Sequence, residues 1–106
     1  MTILSPRLRE VHPSEDPDFG RVLMHWCPGC KSRHDINVTK PNHWGAVWSF
    51  DGNAEQATFS PSINFVGRCH YFIRAGNIEH CGDSTHALAG QTLPLPDFPA
   101  WIRDGD

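Results

Sequence analysis

No stretch of this chain approaches the ~20 consecutive apolar residues of a membrane-spanning helix, so a helical membrane protein is not expected. Positive charge is scarce: 9 Lys and Arg stand against 12 Asp and Glu, for a net charge of -3. No basic cluster exists to hold nucleic acid or an anionic membrane non-specifically, so neither is expected as a partner. Neither HExxH nor an HxE followed by PCxxC occurs, so the common zincin and nucleobase-deaminase mechanisms are not written here. The opening residues mix Arg7, Arg9 and Glu10 with Pro6 and Pro13 and lack the apolar core of a signal peptide, which leads to the expectation of a cytoplasmic protein. In that compartment four cysteines are thiols or metal ligands more often than disulfides.

What the chain does have is Cys27-Pro28-Gly29-Cys30 between two runs of strand-forming residues. Two thiolates two residues apart close on one ion when the backbone turns tightly beneath them, and Pro28-Gly29 supplies that turn. A thioredoxin-like redox pair would need a helix opening at the second cysteine, whereas Ile36 to Thr39 alternates as a strand. Zinc is therefore the expected cofactor. Val22, Met24 and Trp26 alternate with Leu23 and His25 up to the knuckle, giving a hairpin capped by the two cysteines.

A length of 106 residues suits one domain with a modest core. The expected fold is a small β-rich domain, all-β or α+β, with zinc-ribbon-like hairpins around one metal. Residues 1–20 read as an extended N-terminal arm, and residues 21–106 as the zinc-binding β domain with a proline-rich tail over the sheet. Trp44 and Trp48 read as core residues of a hairpin. Pro61 interrupts the strand pattern from Thr58 to Phe65 and marks an edge, bulge or corner. Ser60 and Ser62 beside it either cap backbone groups or line a site, capping being the favoured reading.

A second hairpin runs from Cys69 to Cys81, with a two-residue loop at Ala75-Gly76 or Gly76-Asn77. Either register puts His70, Phe72, Glu79, Cys81 and Asp83 on one face, and Cys69, Tyr71, Ile73, Ile78 and His80 on the other. Adjacent Cys69 and His70 should therefore point apart, and can share one ion only at a bulge or a strand start. By this reading Cys69 is the partner of Cys27 and Cys30, and His70 can be oriented by Asp83 or bind with it. Residues 83–90 suggest a short helical turn that projects His86, capped by Asp83 or Ser84 and ended by Gly90. His12 and His43 read as surface residues, and His25 and His80 as hairpin positions rather than ligands.

The ordered set of CPGC with His34, TFSPSI at residues 58–63, CHYFIRAGNIEH at 69–80 and DSTHALAGQTLPLPDFP at 83–99 resembles a small family found in tailed-phage and prophage gene clusters. Its phage members often carry the label "ammonia monooxygenase", which nothing in these residues supports. Distant relatives sit beside bacterial ubiquitin-like conjugation genes, where gene position has suggested a metal-dependent peptidase. The resemblance implies Cys27, Cys30, Cys69 and His70 as zinc ligands, with Cys81 or His86 as alternatives for the fourth. It implies His34, Asp83 and His86 as further polar members of the site.

Two functions follow as expectations. One is a zinc-dependent hydrolase with Asp83 or Glu79 as general base and His34 or His86 as proton donor or oxyanion stabiliser. The other is a structural-zinc module that binds a host or phage protein, in the host cytoplasm if phage-encoded.

Overall fold

The computed structural model describes residues 2–11 and 20–100. These form β1 (Thr2–Ser5), β2 (Leu8–Val11), β3 (Val22–Cys27), β4 (Ser32–Asn37), β5 (Ser49–Phe50), β6 (Phe59–Phe65), β7 (Cys69–Arg74), β8 (Asn77–His80) and β9 (Thr92–Pro94), with no helix among the described residues. The strands make two antiparallel sheets, ordered β1-β2-β3-β4 and β5-β6-β7-β8-β9. The protein is a small all-β unit, as the strand patterns led one to expect.

Leu8, Leu23 and Ile36 of the first sheet form one apolar core with Phe59, Ile63, Tyr71, Ile73 and Ile78 of the second. Full burial of each large apolar side chain contributes about 1.5–3 kcal/mol, so this contact holds the sheets together. The β7–β8 hairpin follows its expected parity: Cys69, Tyr71, Ile73, Ile78 and His80 are all buried. Its loop is Ala75-Gly76, since Arg74 pairs with Asn77, and both loop residues have positive φ as a type I′ turn requires. Leu95 and Phe98 are buried, so the proline-rich tail does cover apolar surface, while Trp101 lies outside the described residues.

Three local expectations are corrected. Residues 2–11 form a hairpin rather than an extended arm, and Leu8 at its centre is completely buried. Arg9, whose charge masked that pattern, is accommodated with its guanidinium 4.3 Å from the centre of the Phe98 ring. The arm's remaining part, residues 12–19 with His12, lies outside the described residues. Trp44 is 87% exposed and no core residue, whereas Trp48 packs against the core. Residues 83–90 make turns instead of a helical turn. The bonds from Ala89 N–H to His86 C=O and from Gln91 N–H to Leu88 C=O each close a separate turn, and Leu88 N–H is taken by His86 Nδ1.

Candidate active site and metal centre

β7 begins with two residues that face opposite ways. Cys69 is 1% exposed and enters the core, while His70 emerges on the outer face of the second sheet. In the β6–β7 register Asn64 stands opposite His70, which makes Ser62 its diagonal neighbour on the same face. The β6 register shifts between Phe59 and Ile63, an interval that contains Pro61 and Ser62, which agrees with the edge, bulge or corner expected at Pro61.

His70 Nε2 lies 3.0 Å from Ser62 Oγ, and His70 Nδ1 lies 3.2 Å from each carboxylate oxygen of Asp83. Asp83 accepts from Nδ1–H, which leaves Nε2 to accept the Ser62 hydroxyl proton. A hydroxyl, an imidazole and a carboxylate thus stand in the order that acyl-transfer chemistry uses. Asp83 is held over His70 because its loop is stitched to the start of β7. Cys81 N–H donates to His70 C=O at 2.8 Å, and Thr85 N–H donates to Arg68 C=O at 3.0 Å.

Ser84 contributes most to this attachment. Its Oγ accepts from His70 N–H and donates to His70 C=O, both at 3.0 Å, and the side chain is buried. Ser84→Ala removes both bonds at ~1 kcal/mol each, with the freed His70 amide adding a desolvation cost. A fall in Tm of roughly 8–16 °C is expected on thermal unfolding, at about 4–8 °C per kcal/mol.

Behind β7 lies a second cluster. Cys27 Sγ is 3.8 Å from Cys69 Sγ, and Cys69 Sγ is 3.3 Å from His86 Nε2. Donor atoms of Cys27, Cys69, His80 and His86 all fall within 4.8 Å of one another, as do those of Cys27, Cys30 and His34. Both ring nitrogens of buried His80 lack a hydrogen-bond partner, which a ligand would supply. For a tetrahedral ion with ~2.3 Å bonds to sulfur, the sulfur–sulfur edge is about 3.8 Å, so the cysteine spacing fits. Gly29 belongs to the same fit, because a Cβ there would collide with the His86 ring. All four cysteines are free thiols. The Cys69 thiol donates to Cys27 and lowers the Cys27 pKa to about 6, while the same bond and burial push Cys69 up. A thiolate at Cys27 is what a soft cation needs.

Of the residues expected as ligands, Cys27 and Cys69 come together, and Cys30 joins Cys27 through its N–H, 3.4 Å from Cys27 Sγ. His70 is not in either group with Cys27, because β7 starts as a regular strand and turns its ring to Ser62 and Asp83. His86 stands with the cysteines rather than with Asp83. His34 is buried with Nδ1 3.0 Å from the Tyr71 hydroxyl, which also lies 2.6 Å from His25 Nε2. Burial lowers the His34 pKa to about 4 and that of His25 to about 3, so both rings are neutral near pH 7. Cys81 forms a separate group with His70 and Asp83. Glu79 pairs with Arg74 at 3.0 Å.

Ser62, for which capping is the favoured reading of the sequence, and His80, read there as a hairpin position, are corrected: Ser62 meets His70, and His80 stands with the cysteines without a hydrogen-bond partner. The hydroxyl-proline-hydroxyl run at Ser60, Pro61 and Ser62 was the signal for the first, and the inward parity of His80 beside Cys69 was the signal for the second.

No curated protein and no solved structure matches this chain. The model of one family, described as bacterial ubiquitination-like system serine protease (BubE), matches residues 4–81 and so takes in Ser62 and His70, with Asp83 just beyond. The chain belongs to this family of serine proteases of bacterial ubiquitination-like systems.

Proposed function

We propose that the chain is a peptidase of a bacterial ubiquitination-like system that cuts through a Ser62 acyl-enzyme, with zinc as a structural clip between its sheets. The observation that carries this reading is the Ser62–His70–Asp83 chain, with contacts of 3.0 and 3.2 Å. Ser62 Oγ attacks the carbonyl carbon of the scissile peptide while His70 Nε2 takes the hydroxyl proton. The C–N bond breaks, the same proton passes from His70 to the leaving amine, and an ester joins the acyl group to Ser62. Water then attacks that ester with His70 again as base, releasing the acid and restoring the hydroxyl. Asp83 keeps the proton on Nδ1 and stabilises the imidazolium.

Cys27, Cys69, His80 and His86, whose donor atoms lie within 4.8 Å of one another, would hold the zinc, with Cys30 able to replace one of them, and the ion would tie β3, β7 and the loop after β8 together. The peptidase expectation is thereby kept and its nucleophile moves from metal-bound water to Ser62. One observation favours a second reading: donor atoms of His70, Cys81 and Asp83 also lie within 4.8 Å of one another and would suit a catalytic cation.

A fluorophosphonate probe on the intact protein separates the two. Covalent labelling mapped to Ser62 by mass spectrometry supports the serine mechanism. Absence of labelling in a folded, peptide-cleaving protein would transfer the chemistry to the metal reading. Asp83→Asn is a further test: with the tautomer no longer fixed, kcat is expected to fall on the order of 10⁴-fold while the fold persists.

A further inference from the structure

A cleft of about 800 Å³ runs beside Ser62, between residues 61–66 of β6 and its turn and the loop at residues 42–48. That size is typical of a site that encloses a ligand. Its apolar wall includes Trp44, Val47, Trp48 and Phe65. Trp44 is displayed 87% exposed, on a loop fixed by Asn42 Oδ1, which accepts from the N–H groups of Trp44 and Ala46 at 3.0 Å each.

The floor is an open sheet edge. β5 pairs with β6 only at Ser60 and Phe59, so beyond Ser60 no described strand covers the side of β6 away from β7. Phe65 C=O accepts from Arg68 N–H in the turn into β7, which places the backbone groups of Phe65 on the β7 side. Alternation then sends the N–H and C=O of Asn64 to the open side. Ser62 C=O points the same way, where Trp48 Nε1–H donates to it at 3.2 Å.

We infer that the substrate binds this cleft as an added β-strand along the open edge of β6, with apolar side chains beside the scissile bond packed on Trp44 and Phe65. An open edge gives main-chain hydrogen bonds to any extended sequence, and alternate side chains then meet the wall and select it. With the Ser62 C=O already taken by Trp48, the N–H and C=O of Asn64 are the main-chain pair that this edge offers to an added strand. The inference deepens the peptidase reading, on which it rests for the identity of Ser62 as nucleophile, but binding can be measured without cleavage.

The test uses the full chain with Ser62→Ala and fluorescein-labelled, capped decapeptides of Gly and Ser carrying Leu, Lys or Glu at alternate central positions. Fluorescence anisotropy is expected to show the Leu peptide binding at least ten-fold tighter than the Lys or Glu peptides. Adding Trp44→Ala is expected to weaken the Leu peptide ten-fold or more. N-methylation of the peptide backbone should disrupt binding at one set of alternate positions and spare the other. No binding, equal affinity for the three peptides, or indifference to both Trp44→Ala and N-methylation would overturn the inference. The fluorophosphonate result stays a separate readout: labelling of Ser62 without these binding preferences defeats the cleft alone, and the preferences without labelling defeat the serine mechanism alone.

Discussion

Ser62→Ala is expected to reduce kcat for peptide cleavage on the order of 10⁶-fold, the scale seen when the nucleophile of a serine protease is removed. The fold should survive. The Ser62 side chain is half-buried and its hydroxyl contact is to His70 Nε2, so the substitution loses one hydrogen bond worth ~1 kcal/mol and opens no core cavity. Ser60→Ala is the matched control on the other side of Pro61: Ser60 is exposed, and its backbone carbonyl accepts the Ser49 hydroxyl whatever its side chain. Activity within a few-fold of the parent is expected there. A kinetic comparison of the two variants, with near-identical circular dichroism, checks the assignment. Retained cleavage in Ser62→Ala would dismiss Ser62 as the nucleophile and return attention to His70, Cys81 and Asp83.

Much of this arrangement can be read from local pattern, and the part that cannot has a physical cause. Strand alternation alone sends Cys69 and His70 to opposite faces, because a side-chain period of two holds wherever a strand is regular, whereas Asp83 lies beyond the end of β8 and meets His70 through the backbone bonds that fasten its loop to β7. The resemblance pulled His70 toward the metal, and the strand geometry did not follow it. Ser62 is different in kind. It meets His70 only through the pairing of Asn64 with His70 and a register shift near Pro61, both of which depend on a partner strand. His86 reaches Cys69 by a loop of separate turns whose path no periodicity encodes. The β1–β2 hairpin was hidden because prolines and charges surround Leu8, while burial of that one side chain decides the packing.

Removing the zinc proposed for the Cys/His cluster is expected to have the largest effect on stability. Binding of a structural zinc contributes roughly 10–16 kcal/mol in small zinc peptides, comparable to the 5–15 kcal/mol that separates a whole domain from its unfolded chain. This protein also has an apolar core between its sheets, so part of its stability is independent of the ion. Even a net contribution of ~4 kcal/mol would lower Tm by roughly 16–32 °C. Chelation, Cys27→Ser and Cys69→Ser should each do so, and elemental analysis should find about one zinc per native chain. His86→Ala tests the coupling between the two clusters. Cys69 precedes His70 directly and His86 follows Asp83 by three residues, so loosening an ion at the proposed site would slacken both segments, which carry the base and the carboxylate that orients it. Activity in His86→Ala is therefore expected to fall at temperatures where circular dichroism still reports native strand content. Unchanged Tm and unchanged activity after full chelation would remove the zinc from both the fold and the catalytic arrangement.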